Sequence, residues 1–465
     1  MTRTLTASPA RGVPGGLLLD ALQRAGGRFG FLQRERTGQP LDLTQDFAAA
    51  EVAERIAGAG EALAPPRFHR HEELPPLARP QRDRVGGDAP AQIEQSAQIS
   101  PAQHALIIPI VHPLDDPETY RILDPRGLAQ LVIRFPEMAD EIWQTAMRLK
   151  LPAADDATAI VVLGMGGSGV GGDLLLSLLA PTFPVPVVVV KDRRIPAFVG
   201  PQTLIFACSF SGGTEETLSA YAMAKDAGAP AVVITSGGAL AAQAAAWGDP
   251  IVQLPPHLPQ RAALPYLFLP MVSALRRLTH MSELSGEWAE AKTILAGLVE
   301  EVGPAARAER NPAKRLAARL AGHLPAVYAS SPALAPAAYR WKCQFNENSK
   351  TLALWNTFPE LNHNETVGWE DEALARQIAV VLLRDPDEEP AVARRVMATR
   401  DVAFGSAASV DEVRARGGTR LARLLSLVLF GDFVSVYLAM LRGVDPTPVA
   451  RIDEIKRRLS ANVQA

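Results

Sequence analysis

Two glycine- and hydroxyl-rich segments have the residue types needed to grip an anion. Ile160-Val161-Val162-Leu163 runs into Gly164-Met165-Gly166-Gly167-Ser168-Gly169-Val170-Gly171-Gly172. An apolar strand ending in glycines and then a helix brings backbone N–H groups and a helix N-terminus to bear on a phosphate. The spacing of Gly164, Gly166 and Gly169 also fits the dinucleotide fingerprint, with Asp192 placed to mimic its ribose-binding acid. After a second apolar run, 204–208, comes Ser209-Phe210-Ser211-Gly212-Gly213-Thr214-Glu215-Glu216-Thr217. Here Ser209, Ser211 and Thr214 offer hydroxyl donors that Gly212 and Gly213 let converge. A nicotinamide-dependent oxidoreductase has no need of this second nest, whereas one phosphate held from two sides does. The bland alternative is helix capping by Ser211 or Thr214, and it is compatible with phosphate binding.

Two further clusters carry groups able to move protons. One is Arg340-Trp341-Lys342-Cys343-Gln344-Phe345-Asn346-Glu347-Asn348-Ser349-Lys350, and the other is Phe358-Pro359-Glu360-Leu361-Asn362-His363-Asn364-Glu365. Amides and charges beside aromatics suit neither a solvated face nor a core. The second cluster sets an imidazole between asparagines just after a proline-marked turn, a place for acid–base work rather than for a purely structural histidine.

The Gly-Ser-Gly turn and the Ser209–Thr217 segment together resemble the sugar isomerase (SIS) domain, which implies doubly wound domains that bind phosphosugars. The two charged clusters extend this resemblance to the bifunctional phosphoglucose/phosphomannose isomerases, a two-SIS-domain family. The likeness runs from about residue 114 to the C-terminus. It rests on both phosphate loops, Pro259-Gln260-Arg261-Ala262-Ala263, Asn346-Glu347-Asn348-Ser349-Lys350 and the 359–365 segment. It implies an aldose–ketose isomerase that interconverts glucose 6-phosphate, mannose 6-phosphate and fructose 6-phosphate by enediol(ate) proton transfer, without metal or cofactor. Such chemistry needs a base, a cation for the enediolate oxygen and an acid or base to open the ring.

Carried over residue by residue, the resemblance gives Glu347 as the base, Arg261 as the enediolate cation and His363 as the ring-opening group. Lys456, in Ile455-Lys456-Arg457, is matched to an active-site lysine. Gly167, Ser168, Ser209, Ser211 and Thr214 hold the phosphate, and Thr447 is the small residue that admits both C2 epimers. Without the resemblance Arg261 reads as a surface arginine and Lys456 as part of a solvated helix face. The family implies a homodimer in which the histidine comes from the partner subunit. Phe210 and Gly213 stand where tyrosine and asparagine are commoner, and neither change removes a phosphate-facing hydroxyl. The alternative on the same cradle is a non-catalytic SIS-type phosphosugar-binding regulator.

These residues need elements to position them. Short β-branched runs at 159–163, 186–190, 204–208 and 231–235 alternate with helical patterns at 171–179 and 215–227, the signature of a parallel sheet covered on both faces. A helix is expected over 127–150, with Pro136 disturbing one turn. A second series offers strands at 326–330, 351–355 and 378–384 and helices at 335–344, 391–398 and 420–441, with helical sequence from 264 to 301 between the two. The expected organisation is therefore α/β: a largely disordered or extended N-terminal extension over 1–113, then two doubly wound parallel-sheet SIS domains over 114–300 and 301–465.

Composition bounds the rest. At 465 residues the chain exceeds one typical core. A net charge of −3 leaves no basic excess for nucleic-acid backbones. Cys208 and Cys343 are the two cysteines and show no ligand spacing, which fits a reducing cytoplasm without structural zinc. His69 and His71 lie among prolines and arginines with no companion ligands and read as linker. The apolar run 421–441 carries Arg423 and Asp432, so it reads as a buried core helix rather than a membrane span.

Overall fold

In the computed structural model, residues 112–154, 156–278 and 283–462 are described, and they belong to one unit, Gln103–Ala465. The expectations for the N-terminal extension, including His69 and His71, fall outside the described residues apart from 112 and 113. The first half contains α1 (Pro117–Leu123), α2 (Leu128–Ile133), α3 (Phe135–Ala146), β1 (Ala159–Leu163), α4 (Gly166–Leu179), β2 (Val187–Val190), β3 (Thr203–Cys208), α5 (Glu215–Asp226), β4 (Ala231–Thr235), α6 (Gly238–Trp247) and β5 (Ile251–Gln253). Helices α7 (Leu264–Leu278) and α8 (Glu283–Val302) lead into the second half. There follow α9 (Pro312–Leu320), β6 (Leu324–Ala329), α10 (Ala335–Glu347), β7 (Leu354–Thr357), α11 (Glu372–Ala375), β8 (Ile378–Arg384), α12 (Pro390–Ala403), β9 (Ser409–Arg414), α13 (Arg420–Leu441) and α14 (Ala450–Asn462).

The helix expected over 127–150 breaks into α2 and α3 at Arg134. Pro136 sits in the first turn of α3, where its missing N–H costs nothing, whereas inside one continuous helix it would remove a bond. The glycine-rich segment behaves in the opposite way. Helix α4 begins at Gly166 rather than near Gly171, so most of the expected loop is the helix's first turns.

Both sheets are wholly parallel. The first has the order β2-β1-β3-β4-β5 and the second β7-β6-β8-β9. The four strands of the second sheet repeat the order of the first four strands of the first, although the sequences show no repeat. Each sheet is apolar on both faces. Val161, Ile205 and Val233 pack into one cluster on the outer face of the first sheet, and Ala326, Val380 and Leu382 into another on the outer face of the second. The inner faces, represented by Val162, Phe206, Val327 and Val381, enter one shared core with α7 and α13. Two-sided burial explains the unbroken apolar runs of the central strands.

Helix α13 is long and apolar enough to cross a membrane, yet Leu421 to Met440 are all buried within the fold. It packs against α8, α9 and α10. Gly431 permits the last of these contacts, since a Cβ there would lie 2.1 Å from Trp341 Nε1. The buried Asp432 of α13 has its partners across that interface. The Asp432 carboxylate accepts from Arg340 Nε at 3.1 Å, Arg340 Nη2 at 2.7 Å and Gln344 Nε2 at 2.7 Å. Burial raises the Asp432 pKa, and the Arg340 guanidinium opposes the shift.

Removing one member of such a pair strands the other. Asp432→Leu is therefore expected to cost about 3–5 kcal/mol of stability, and the double replacement Arg340→Leu/Asp432→Leu less than the single. Urea unfolding of the two variants checks this, and a double variant less stable than the single one would contradict it.

Candidate active site

The first turn of α4 brings Gly166, Gly167 and Ser168 to the carboxyl end of β1, and no side chain caps its N-terminus. The second glycine- and hydroxyl-rich loop leaves β3 alongside. Because β2 lies on one side of β1 and β3 on the other, these loops diverge around a crevice, the usual ligand position in an open α/β sheet. Ser168 joins the loops: its hydroxyl accepts from Phe210 N at 3.3 Å and from Gln260 Nε2 at 3.3 Å. Ser209 and Thr214 share a hydroxyl–hydroxyl bond of 2.9 Å, and Ser211 Oγ accepts from Gly213 N at 3.3 Å. Thr214 occupies the cap position of α5 but makes no side-chain cap bond, and Ser211 makes none to the helix. The capping alternative therefore does not account for these hydroxyls.

The loop is held from behind by the turn after β4. Ser236 N and Oγ donate to the Phe210 carbonyl at 2.9 and 2.6 Å, and Leu240 N donates to the Gly212 carbonyl at 2.9 Å. Gly212 has φ +67°, and a Cβ on it would meet the Gly237 carbonyl oxygen at 1.8 Å. Only glycine satisfies both demands. Asp192 is exposed and accepts from Arg193 N and Arg194 N, closing its own turn.

Gln260 and Arg261 lie on a 3-10 turn, Gln260–Ala263, that follows β5. Gln260 faces the phosphate loops through Ser168. Arg261, expected at the surface on sequence pattern alone, is only 7% exposed. Its Nε donates to Asn348 Oδ1 at 2.7 Å, Nη1 to Glu347 Oε2 at 3.2 Å, and Nη2 to the carbonyls of Pro446 and Thr447 at 3.0 and 2.6 Å. These bonds use four of the five guanidinium donors. The fifth, on Nη1 beside Glu347, has no acceptor among the described residues. Burial lowers the Arg261 pKa, while Glu347 and Asp445 act against that shift.

The support for Arg261 is itself buried. Arg340 Nη2 donates to the Arg261 carbonyl at 2.9 Å while holding Asp432. Asn348 Nδ2 donates to Ser435 Oγ at 2.9 Å, and Ser349 Oγ donates to the Ser435 carbonyl at 2.7 Å. Glu347, at the end of α10, is 31% exposed and lines a cavity of about 600 Å³ with Asn346, Lys350, Pro448 and Ile452. A carboxylate reachable from a cavity, with a fixed cation on one oxygen, is suited to taking a proton beside a developing oxyanion. Thr447 Oγ1 and Asn346 Oδ1 are buried without a hydrogen-bond partner among the described residues.

His363 is brought nowhere near this pair. It is exposed on the 3-10 turn Glu360–His363 after β7, and its imidazole makes no hydrogen bond or ion pair among the described residues. The topology requires the separation. Helix α10 leaves the carboxyl end of β6 and ends with Glu347 at the amino end of the sheet, about 20 Å away for its 13 residues. β7 then returns to the carboxyl end before reaching His363. Glu365 fixes that turn, accepting from Tyr328 Oη and from Asn356 Nδ2 at 2.6 Å. Lys456 sits on an exposed face of α14.

Sequence reasoning gave no role to Gln260, Asn348, Arg340 or Asp432. Gln260 and Asn348 stand inside the quoted signatures, but their partners lie 92 and 87 residues away in sequence.

Comparison with known proteins adds a decisive observation. Residues 309–459 match the family described as bacterial phospho-glucose isomerase C-terminal SIS domain. The chain is 38% identical over 331 residues to the bifunctional phosphoglucose/phosphomannose isomerase of Caldicellulosiruptor bescii, covering 71% of this chain and 98% of that one. The chain belongs to the bifunctional phosphoglucose/phosphomannose isomerase family. A relative of the same name from Thermoplasma acidophilum is 36% identical over 301 residues, 65% of this chain and 89% of the relative. Among solved structures, a glucose-6-phosphate isomerase like protein from Thermus thermophilus superposes with a TM-score of 0.50 at 23% identity, covering 72% of this chain and 98% of that one. That likeness concerns the fold.

The Ser209–Thr214 hydroxyl pair generates a binding prediction. Ser209→Ala and Thr214→Ala are each expected to weaken binding of a hexose 6-phosphate about tenfold, the loss of one charge-assisted hydrogen bond, with little change in melting temperature. Titration calorimetry reads the effect, and unchanged affinity in both variants would contradict the cradle.

Proposed function

We propose that the protein is an aldose–ketose isomerase that interconverts glucose 6-phosphate, mannose 6-phosphate and fructose 6-phosphate through an enediol(ate). The observation that carries this reading is the Arg261–Glu347 pair, bonded at 3.2 Å and joined to the phosphate loops through the neighbouring Gln260. The half 114–300 anchors the phosphate on Gly167, Ser168, Ser209, Ser211 and Thr214. The half 301–465 supplies the base.

In the proposed reaction Glu347 removes the C2 proton of the open-chain aldose. The electron pair moves to the carbonyl oxygen, where the free Nη1–H of Arg261 meets the developing charge. A proton passes from the C2 hydroxyl to the C1 oxygen, and Glu347 returns its own proton to C1 as the C2 oxygen becomes the ketone. Thr447, whose hydroxyl has no protein partner, borders the space at C2 and admits either epimer. Lys456 adds positive charge near the site. A non-catalytic phosphosugar regulator would have no use for a guanidinium with one free donor beside a cavity-facing carboxylate, and no relative reported above bears such a name.

Ring opening falls to His363, supplied by a second copy of the chain. Two observations favour a homodimer with shared sites. Glu347 and His363 lie at opposite ends of one sheet, and exposed apolar residues gather near the Glu347 cavity: Leu352 beside it, with Ile452, Ile455 and Leu459 along α14. Cys208 and Cys343 are both unpaired, which accords with a reducing cytoplasm.

The test is a mixing experiment on fructose 6-phosphate with both epimeric products followed. Glu347→Gln should lower kcat by about a thousandfold while retaining substrate binding, and His363→Ala should slow reaction from the ring form most. Mixing the two variants should restore roughly a quarter of wild-type activity from the ring form, because half of the random dimers carry one intact site. No restoration would sink the shared site, and near-wild-type turnover of Glu347→Gln would sink the assignment of the base.

A further inference from the structure

Lys350, three residues beyond Glu347, has φ +53°. A residue with a Cβ seldom adopts this left-handed conformation, and one other non-glycine described residue, His257, shares it. Glycine closes a helix at such a position without strain. Strained backbone persists where surrounding bonds over-determine it, and it gathers at functional sites.

Here the lysine ammonium makes those bonds. Lys350 Nζ donates to the Glu347 carbonyl at the end of α10 and to the Pro446 carbonyl at 3.1 Å. The Pro446 carbonyl is also an acceptor for Arg261 Nη2, at 3.0 Å. Lys350 and Arg261 therefore converge on one oxygen. Glu347 is held twice, by its carboxylate to Arg261 and by its carbonyl to Lys350. Lys350 also lines the cavity that Glu347 and Asn346 line. Partial burial and the nearby Arg261 guanidinium push the lysine pKa down, with Asp445 and Glu347 opposing. An ordinary helix closure requires none of this.

We propose that Lys350 is a positioning residue of the isomerase: it clamps the Pro446–Thr447 segment to the end of α10 and so fixes Arg261 relative to Glu347. The strained backbone is what brings the ammonium to both carbonyls at once. The inference rests on the isomerase reading above.

Three variants separate the clamp from a merely structural role. Lys350→Gly removes the ammonium and the left-handed strain, Lys350→Ala removes the ammonium alone, and Lys350→Arg keeps a cation. The glycine variant should melt above the alanine variant. Both should lose kcat on fructose 6-phosphate by about tenfold or more while KM stays within about threefold, the pattern of a lost transition-state interaction. Lys350→Arg should recover most of that kcat. Wild-type kcat in the glycine and alanine variants would overturn the inference, and so would a loss of kcat that merely follows melting temperature across the three. If the unaltered protein turns over none of the three hexose phosphates, the isomerase reading falls and this inference with it. If it is active and the variants match it, only the inference falls.

Discussion

The structure around the site depends on one buried guanidinium. Taking Arg261 out of water costs several kcal/mol, and only nearly complete hydrogen bonding offsets that cost. The partners that provide it come from two places: the end of α10, through Glu347 and Asn348, the latter itself held by Ser435, and the loop after α13. Satisfying Arg261 therefore fixes where α10 ends relative to the first sheet. Gln260, one residue before, holds Ser168 at the mouth of the phosphate crevice. Two adjacent residues on one short turn thus link Ser168 to Glu347, which in the proposed reaction sets the distance from phosphate to base. The Asp432–Arg340 pair underneath carries the constraint into α13, which is why so apolar a helix contains an aspartate.

The two sheets share the strand order of their first four strands, yet their crevices have diverged in charge. In the first sheet the loops after β1 and β3 present glycines and hydroxyls. At the equivalent place in the second sheet the loop after β8 carries Asp385, Asp387 and Glu388, which are paired with Arg423 and Arg384. Arg384 also bonds Glu412 of β9 at 2.8 Å. Those acids would repel a phosphate, and their partner cations are already engaged. The first half has the loops proposed to hold the phosphate, whereas the second uses the matching position for internal ion pairs.

Much of the fold could be read in the sequence, because strands buried on both faces give short apolar runs that helices do not mimic. β1, β4 and β8 lie where the pattern places them. β5 and β9 escaped it for physical reasons: the first has three residues, and Ser409–Arg414 is an edge strand with charges along it. β7 starts three residues later than expected because Lys350 and Thr351 are used to close α10, Thr351 N bonding the Phe345 carbonyl at 3.1 Å. Glycine propensity argued against a helix at Gly166, but the tight approach of α4 to the sheet overrides it. At the site, the phosphate loops were legible as local motifs. Arg261 was not, since its partners lie up to 186 residues away and its neighbours in sequence carry no pattern that marks it as buried.

In the proposed chemistry one carboxylate, Glu347, moves a proton between C1 and C2 beside a fixed cation, and the same base serves both epimers. Running the reaction from fructose 6-phosphate in deuterium oxide tests this most directly, because a carboxylate base exchanges its proton with solvent while the enediolate waits. The expected result is deuterium at C2 of both glucose 6-phosphate and mannose 6-phosphate, measured by NMR or mass spectrometry early in the reaction. Products of both kinds formed without any solvent deuterium, as a direct hydride shift between the carbons would give, would contradict it.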